Sequence, residues 1–402
     1  MTLPLDNIRV VDLSRMLPGP YCSMILGDLG AEIIHIKNPN YSDYDIPVFY
    51  KENGKEINAF DSIIMRNKKS ITLNFRLKKA REIFYKLIKK VDVVLESFRP
   101  GIAEKLGIDY KNLVNINKGI IYCSLTGFGQ NGPYHNLAGH NLNYVGLSGI
   151  LDMNRKREIY GDYDKERPPI TPGSHSAATS GAFLAGIGIL SAIIERERNP
   201  KKVGQYIDIS MLDSAFSLIP ILAAFNFSNN NNNNNNNPLH GSAPYYQIYK
   251  TKDNKYLTIA SFEQKFWVRL CEKLGRKDLE SSQFVQNEEK EYLFNELQKE
   301  ISKKTQKEWI EILTNKDTCV FPINNFNQAC NDPQIKARNM IIEKIHSDIG
   351  KIKIINSPIN LSRTPIKIRT LAPKLGEHTE EILKELNYTD EDILNFRKMN
   401  II

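Results

Sequence analysis

Seven histidines, five cysteines and a surplus of lysine and arginine are the reactive material of this 402-residue chain. Two histidines lie among small residues: His140 within Gly-His-Asn-Leu-Asn-Tyr at 139–144, and His175 within Pro-Gly-Ser-His-Ser at 172–176. An imidazole is close to half protonated at neutral pH, so it can take or give a proton without a large pKa shift. A lone histidine is nevertheless more often a surface group or a hydrogen-bonded core group. The cysteines, Cys22, Cys123, Cys271, Cys319 and Cys330, are too scattered for a disulfide framework and form no CxxC pair, so no metal site is expected. Phosphate and nucleophile signatures are missing as well: there is no GxxxxGK[ST] loop, no GxGxxG after the first strand, no GxSxG and no HExxH. Any phosphate must therefore be held by separate cations.

The elements that must position such groups follow from patterning. A length of 402 residues predicts two to three domains at about 150 residues each, and 41% hydrophobic with 25% charged residues marks a folded, enzyme-sized protein. Residues 8–14 read as a strand, 21–29 as a helix ended by Gly30, and 31–37 as a second strand, which together make a βαβ unit. Strands at 70–75, 91–96 and 120–125 with a helix at 78–90 continue the alternation, so the fold class is α/β with a parallel sheet. Residues 180–197 suit a buried small-residue helix, and 229–237 are an uninterrupted asparagine run, a low-complexity insertion in a linker. After it, strands at 243–250 and 255–261 and a helix at 288–313 predict a smaller α+β domain, and short helices follow at 379–386 and 390–396. The longest apolar stretches, 181–194 and 216–225, fall short of about 18 to 20 residues, so no membrane span is expected. No import signal is evident and the last residues are not Ser-Lys-Leu; the expectation is a soluble intracellular protein, with cytoplasm, peroxisome and mitochondrion not distinguished. The net charge of +8 could meet nucleic acid, but the basic residues are dispersed and no recognition motif accompanies them, so no nucleic-acid partner is expected.

Four separated stretches point further. They are Val-Val-Asp-Leu-Ser at 10–14 with Pro-Gly-Pro-Tyr-Cys-Ser-Met at 18–24 and Leu-Gly-Asp-Leu-Gly-Ala-Glu-Ile-Ile at 26–34; Phe-Arg-Pro-Gly-Ile-Ala-Glu-Lys-Leu-Gly at 98–107 with Leu-Thr-Gly-Phe-Gly-Gln-Asn-Gly-Pro at 125–133; Ala-Gly-His-Asn-Leu-Asn-Tyr at 138–144; and Ser-Ala-Pro-Tyr-Tyr-Gln-Ile-Tyr at 242–249 with Ala-Ser-Phe-Glu-Gln-Lys-Phe at 260–266 and Leu-Gly-Glu-His-Thr-Glu-Glu-Ile-Leu at 375–383. Together, and in this order, they resemble the family III CoA-transferases, most closely the α-methylacyl-CoA racemase branch.

The resemblance implies a large Rossmann-like domain, a small α+β domain and an interlocked homodimer. On this chain that means a large domain at 1–205, a linker with the asparagine insertion at 206–240, a small domain at 241–325 and a return segment at 326–402. It implies an acyl-CoA substrate, no cofactor beyond the CoA moiety, and removal and return of the C2 proton of a 2-methylacyl-CoA thioester through an enolate. His140 aligns with the family's catalytic histidine and Glu263 with the glutamate that fixes its tautomer. The second base, an aspartate in the family, has no carboxylate counterpart in 172–181; the slot falls on His175, or on Ala177 or Ala178. Three alternatives follow: His175 replaces it as a second imidazole, Asp162 or Asp164 reaches in from the preceding loop, or acyl-CoA is bound without turnover. For CoA the resemblance implies Lys37 and Asn38, then Leu73, Asn74, Phe75 and Arg76 around the adenine, Arg99 and Lys105 near the phosphates, and Gly139, Asn141, Leu142, Asn143 and Tyr144 beside the thioester.

Overall fold

The computed structural model describes residues 2–40, 46–52, 54–155, 167–228 and 238–402; the asparagine run and both Asp162 and Asp164 lie outside the described residues. The chain divides into two compact units: the first is Met1–Ser148, Gly173–Ser217 and Pro333–Ile402, the second Gly149–Pro172 and Leu218–Asp332.

The strands, in chain order, are β1 Arg9–Asp12, β2 Glu32–Lys37, β3 Phe49–Glu52, β4 Lys55–Asn58, β5 Lys68–Thr72, β6 Val93–Glu96, β7 Ile121–Thr126, β8 Tyr206–Ser210, β9 Tyr246–Lys250, β10 Tyr256–Ala260, β11 Val320–Pro322, β12 Ile341–His346 and β13 Gly350–Ile355. The helices used below are α1 Pro18–Asp28, α2 Ala59–Ile64, α3 Lys78–Ile88, α4 Ile102–Leu106, α5 Tyr110–Ile116, α6 Asn141–Leu147, α7 Ile150–Met153, α8 Ser176–Arg198, α9 Met211–Phe216, α10 Pro220–Ser228, α11 Gln264–Leu274, α12 Asn287–Ile301 and α13 Gln306–Leu313.

In the first unit a six-stranded sheet has the order β5-β2-β1-β6-β7-β8, with every pairing parallel. Numbered within the sheet this is 3-2-1-4-5-6, the doubly wound arrangement whose ligand crevice lies past the carboxyl ends of the strands, where the order reverses between β1 and β6. The inner strands β1, β6 and β7 are buried along nearly their whole length because both faces are covered. On one face α3 buries Ala80, Ile83, Phe84, Leu87 and Ile88, the i, i+3, i+4 stripe of an amphipathic helix, beside Leu113 of α5 and Ile382 and Phe396 near the C-terminus. On the other, Ala182, Ala185 and Ile189 of α8 pack with Val10, Ile33 and Cys123. At Gly181 a Cβ would come within 3.1 Å of Met211 and 3.2 Å of Leu125, so the small residues of α8 are what allow its approach.

Three expectations need correction. The 206–217 stretch, placed in a linker, is the edge strand β8 followed by α9: Tyr206 through Ser210 pair with Tyr122 through Thr126, which binds the stretch to the first unit. Residues 149–172 group with the second unit, and the chain returns to the first at Pro333. Finally, α8 runs 23 residues and by length and composition alone could cross a membrane, longer than the apolar runs suggested; half of its apolar window is buried inside the protein. The hairpins β3-β4 and β12-β13 were also not foreseen.

The second unit contains the antiparallel sheet β11-β10-β9. Tyr249, Leu257 and Ile259 from that sheet pack on Trp267 and Leu270 of α11, Leu293 and Leu297 of α12, and Trp309 of α13. The helix expected at 288–313 breaks in two because Thr305 and Glu308 form a capping box that starts α13 afresh.

Candidate active site

At the end of β1, Asp12 is fully buried and gathers the loop that follows. Its carboxylate accepts from Ser14 N at 2.9 Å and from the hydroxyls of Ser14 and Ser23, with His35 Nδ1 at 3.2 Å and Lys68 Nζ at 3.4 Å. Burial alone would raise the Asp12 pKa, but His35 and Lys68 beside it hold it well below the usual carboxylate range. Burial pushes both the Lys68 ammonium and the His35 imidazole down. A Cβ on Gly19 would collide with the Ser14 side chain, so α1 can start against this loop only with glycine there. The sequence reading missed this cluster; its available signal was a charge ending an otherwise apolar strand.

The residues expected around CoA from Lys37 to Arg99 follow the carboxyl ends of β2, β5 and β6. Lys37 and Asn38 end β2, and Leu73 follows β5, its N–H donating to Lys37 O at 2.9 Å. Leu73 and Phe75 bury their side chains in the core, and Asn74 N donates to Ile401 O at 2.8 Å. Whatever contact 73–75 make with a ligand thus falls to the main chain, while Arg76 is exposed. Arg99 follows β6, and Lys105 lies on α4, a helix bracketed by Gly101 (φ 80°) and Gly107 (φ 71°) in the left-handed region. Both cations are exposed.

His140 is the N-cap residue of α6 and is exposed. Its N–H donates to Asn143 Oδ1 at 2.9 Å, and its carbonyl accepts from Asn143 N at 2.8 Å. Tyr144 is buried; its hydroxyl donates to Gly139 O at 2.6 Å and its ring meets Phe128 edge-on. Asn141 has a role that the sequence did not disclose. Its Oδ1 accepts from Ala177 N at 3.0 Å and Ala178 N at 3.2 Å, capping the first turn of α8 from a neighbouring helix. Of the 139–144 segment, Asn141 and Tyr144 therefore direct side-chain polar atoms into the fold, while His140, Leu142 and Asn143 are exposed.

The same bond brings the start of α8 to the His140 turn. His175 is the N-cap residue of α8 and exposed, while Ala177 and Ala178 are buried in its first turn. The Ser176 hydroxyl is buried with no partner among the described residues. Glu263 belongs to the second unit, where it is the exposed N-cap residue of α11. Among the described residues no group of three His, Cys, Asp or Glu side chains could hold a metal ion.

The sheet order and this edge define an α/β protein of the doubly wound class. The chain belongs to CoA-transferase family III, whose model matches residues 5–379. It is 30% identical to human alpha-methylacyl-CoA racemase over 100% of this chain and 98% of that one. It is 32% identical to the succinyl-CoA–L-malate CoA-transferase beta subunit of Chloroflexus aurantiacus, over 100% of this chain and 98% of its relative. A crystal structure of a CaiB/BaiF family protein from Brucella suis superposes with a TM-score of 0.81 at 30% identity, covering 96% of this chain and 100% of that one. The family is enzymatic and holds both racemases and CoA-transferases.

Proposed function

We propose that this protein inverts C2 of 2-methylacyl-CoA thioesters, with His140 and His175 as the two acid/base groups. The observation that carries this reading is the Asn141 bond to Ala177 and Ala178, which ties the His140 turn to the helix that begins at His175. Inversion needs a group able to take a proton on one side and return it on the other, and an imidazole serves either way near neutral pH. Lys37, Arg76, Arg99 and Lys105 carry the CoA phosphates. No cofactor is invoked beyond the CoA moiety. CoA transfer to a free carboxylate is the second reading, favoured by the transferases among the relatives. Against it stands the lack of any carboxylate in 172–181 to serve as acyl acceptor.

The test is incubation with (R)-2-methylacyl-CoA in deuterated water. Deuterium at C2 together with optical inversion is expected. CoA appearing on an added carboxylate without C2 exchange supports transfer instead, and neither event leaves a protein that only binds acyl-CoA.

We also propose a homodimer. Phe183, Ile187 and Ile194 on α8 are 48%, 58% and 52% exposed in the single chain, an apolar strip on a helix whose opposite side packs in the core. Sedimentation should give twice the chain mass of 46.0 kDa, and Phe183→Asp should shift it toward the monomer. A wild-type monomer would exclude the proposal.

A further inference from the structure

His140 is exposed, so the fold does not grip its ring by burial, and the accuracy of its imidazole must come from the main chain that carries it. That main chain is fixed on both sides of the residue. A peptide unit is planar, so holding it at its carbonyl and at its N–H holds the whole plane. In the 139–140 unit the Gly139 carbonyl accepts from the Tyr144 hydroxyl at 2.6 Å, and the His140 N–H donates to Asn143 Oδ1 at 2.9 Å. In the 140–141 unit the His140 carbonyl accepts from Asn143 N at 2.8 Å and from Tyr144 N at 3.3 Å. Two fixed planes meeting at one Cα set the His140 φ of −127° and ψ of 174°, and with them the direction of its Cα–Cβ bond.

The two side chains that close the 139–140 unit are anchored differently. Tyr144 is 3% exposed, and its ring meets Phe128 edge-on with 5.1 Å between centroids. The segments that wrap it are glycine where they touch it: a Cβ on Gly139 would stand 2.9 Å from the ring, and one on Gly127 would collide with the hydroxyl. Asn143 is exposed, with its Oδ1 turned back onto the N-cap N–H as the third residue of a capping box does. The resemblance placed both residues beside the thioester. Yet the Tyr144 hydroxyl gives its one hydrogen to Gly139, and the Asn143 oxygen is taken by His140. A ligand role for Asn143 would therefore fall to its Nδ2 donors and a positioning role to its Oδ1 acceptor, and substitution can separate the two.

We infer that Tyr144 and Asn143 are positioning residues for His140, which clamp the 139–140 peptide at its two ends and so aim the imidazole, in place of touching the thioester themselves. The inference rests on the proton-transfer role proposed for His140. A reacting group displaced by about 1 Å can lose about 10²-fold in rate, which is the scale of effect such a clamp controls.

Steady-state C2 exchange on a 2-methylacyl-CoA tests it, together with the NMR signal of the His140 imidazole in the full chain, identified by its loss in His140→Gln. Tyr144→Phe keeps the ring and drops the bond to Gly139. Its kcat should fall about ten- to hundredfold with KM within about twofold, and the His140 signal should shift or broaden. Asn143→Leu should do the same, and Asn143→Asp, which keeps an acceptor and loses the donors, should recover most of that loss. In the His140→Gln background Tyr144→Phe should cost less than about twofold, because it acts through the missing ring. A rise in KM in place of a fall in kcat, Asn143→Asp as damaging as Asn143→Leu, or a His140 signal unmoved in both Tyr144→Phe and Asn143→Leu would each overturn the inference. Near-normal exchange in His140→Gln would remove the proton-transfer role, and the imidazole signal would still decide whether the clamp holds. Should Tyr144→Phe not fold, the two Asn143 variants decide by themselves.

Discussion

Replacing His140 with glutamine should reduce C2 hydrogen exchange on a 2-methylacyl-CoA by about 10²- to 10⁴-fold, the usual contribution of a general acid or base. CoA affinity should stay within about twofold. The reason lies in how the residue is built in: its main-chain N–H and carbonyl make the bonds that start α6, so glutamine can keep the turn while losing the imidazole. His175→Gln separates the two bases. If each imidazole serves one face of the enolate, this variant keeps exchange on one enantiomer and loses it on the other. Equal rates for both enantiomers in His175→Gln would remove His175 from the mechanism, and near-normal exchange in His140→Gln would remove the mechanism altogether.

Asp12→Ala should cost about 3–5 kcal/mol of stability in a urea titration, because it strands the Lys68 ammonium, which is wholly buried and among the described residues keeps only the Pro20 carbonyl and the Met65 sulfur as hydrogen-bond partners. Removing both charges together, as Asp12→Leu with Lys68→Met, should recover most of that loss, since an apolar pair of similar volume carries no desolvation penalty. The pH response has a definite sign. The folded Asp12 pKa is depressed, so its stabilisation is present above the unfolded carboxyl value of about 3.9 and lost as pH falls through the folded one. The folded His35 pKa is depressed too, so below about 6.5 the unfolded chain takes up the proton first. Wild type should therefore weaken below about pH 6.5 through His35 and further below about pH 3.9 through Asp12. A loss below about 1 kcal/mol for Asp12→Ala would show that the cluster does not hold the β1 loop.

The large α/β unit was legible because a parallel sheet covered on both faces leaves an unmistakable trace, runs such as Val10-Val11 and Ile33-Ile34 separated by amphipathic helices like α3. β8 was not, because Tyr-Ile-Asp-Ile-Ser alternates like a half-exposed strand and its place at the sheet edge depends on pairing with β7, about 80 residues earlier. The three residues of β11 carry too little pattern to be read at all.

At the site, residue types revealed the reactive groups and local motifs revealed their family, since histidine chemistry and the Gly-His-Asn-Leu-Asn-Tyr segment are both local properties of the chain. Sequence alone also showed that 172–181 lacks a carboxylate. Only the folded chain decided what the neighbours do. Asn141, read as a ligand group, caps α8; Asp12 holds a buried lysine; and Glu96 is held by Ser124 and the Phe98 N–H. Each of these depends on burial and on partners distant in sequence, and hydrogen-bond satisfaction and pKa are set by those three-dimensional neighbours and not by the residue itself.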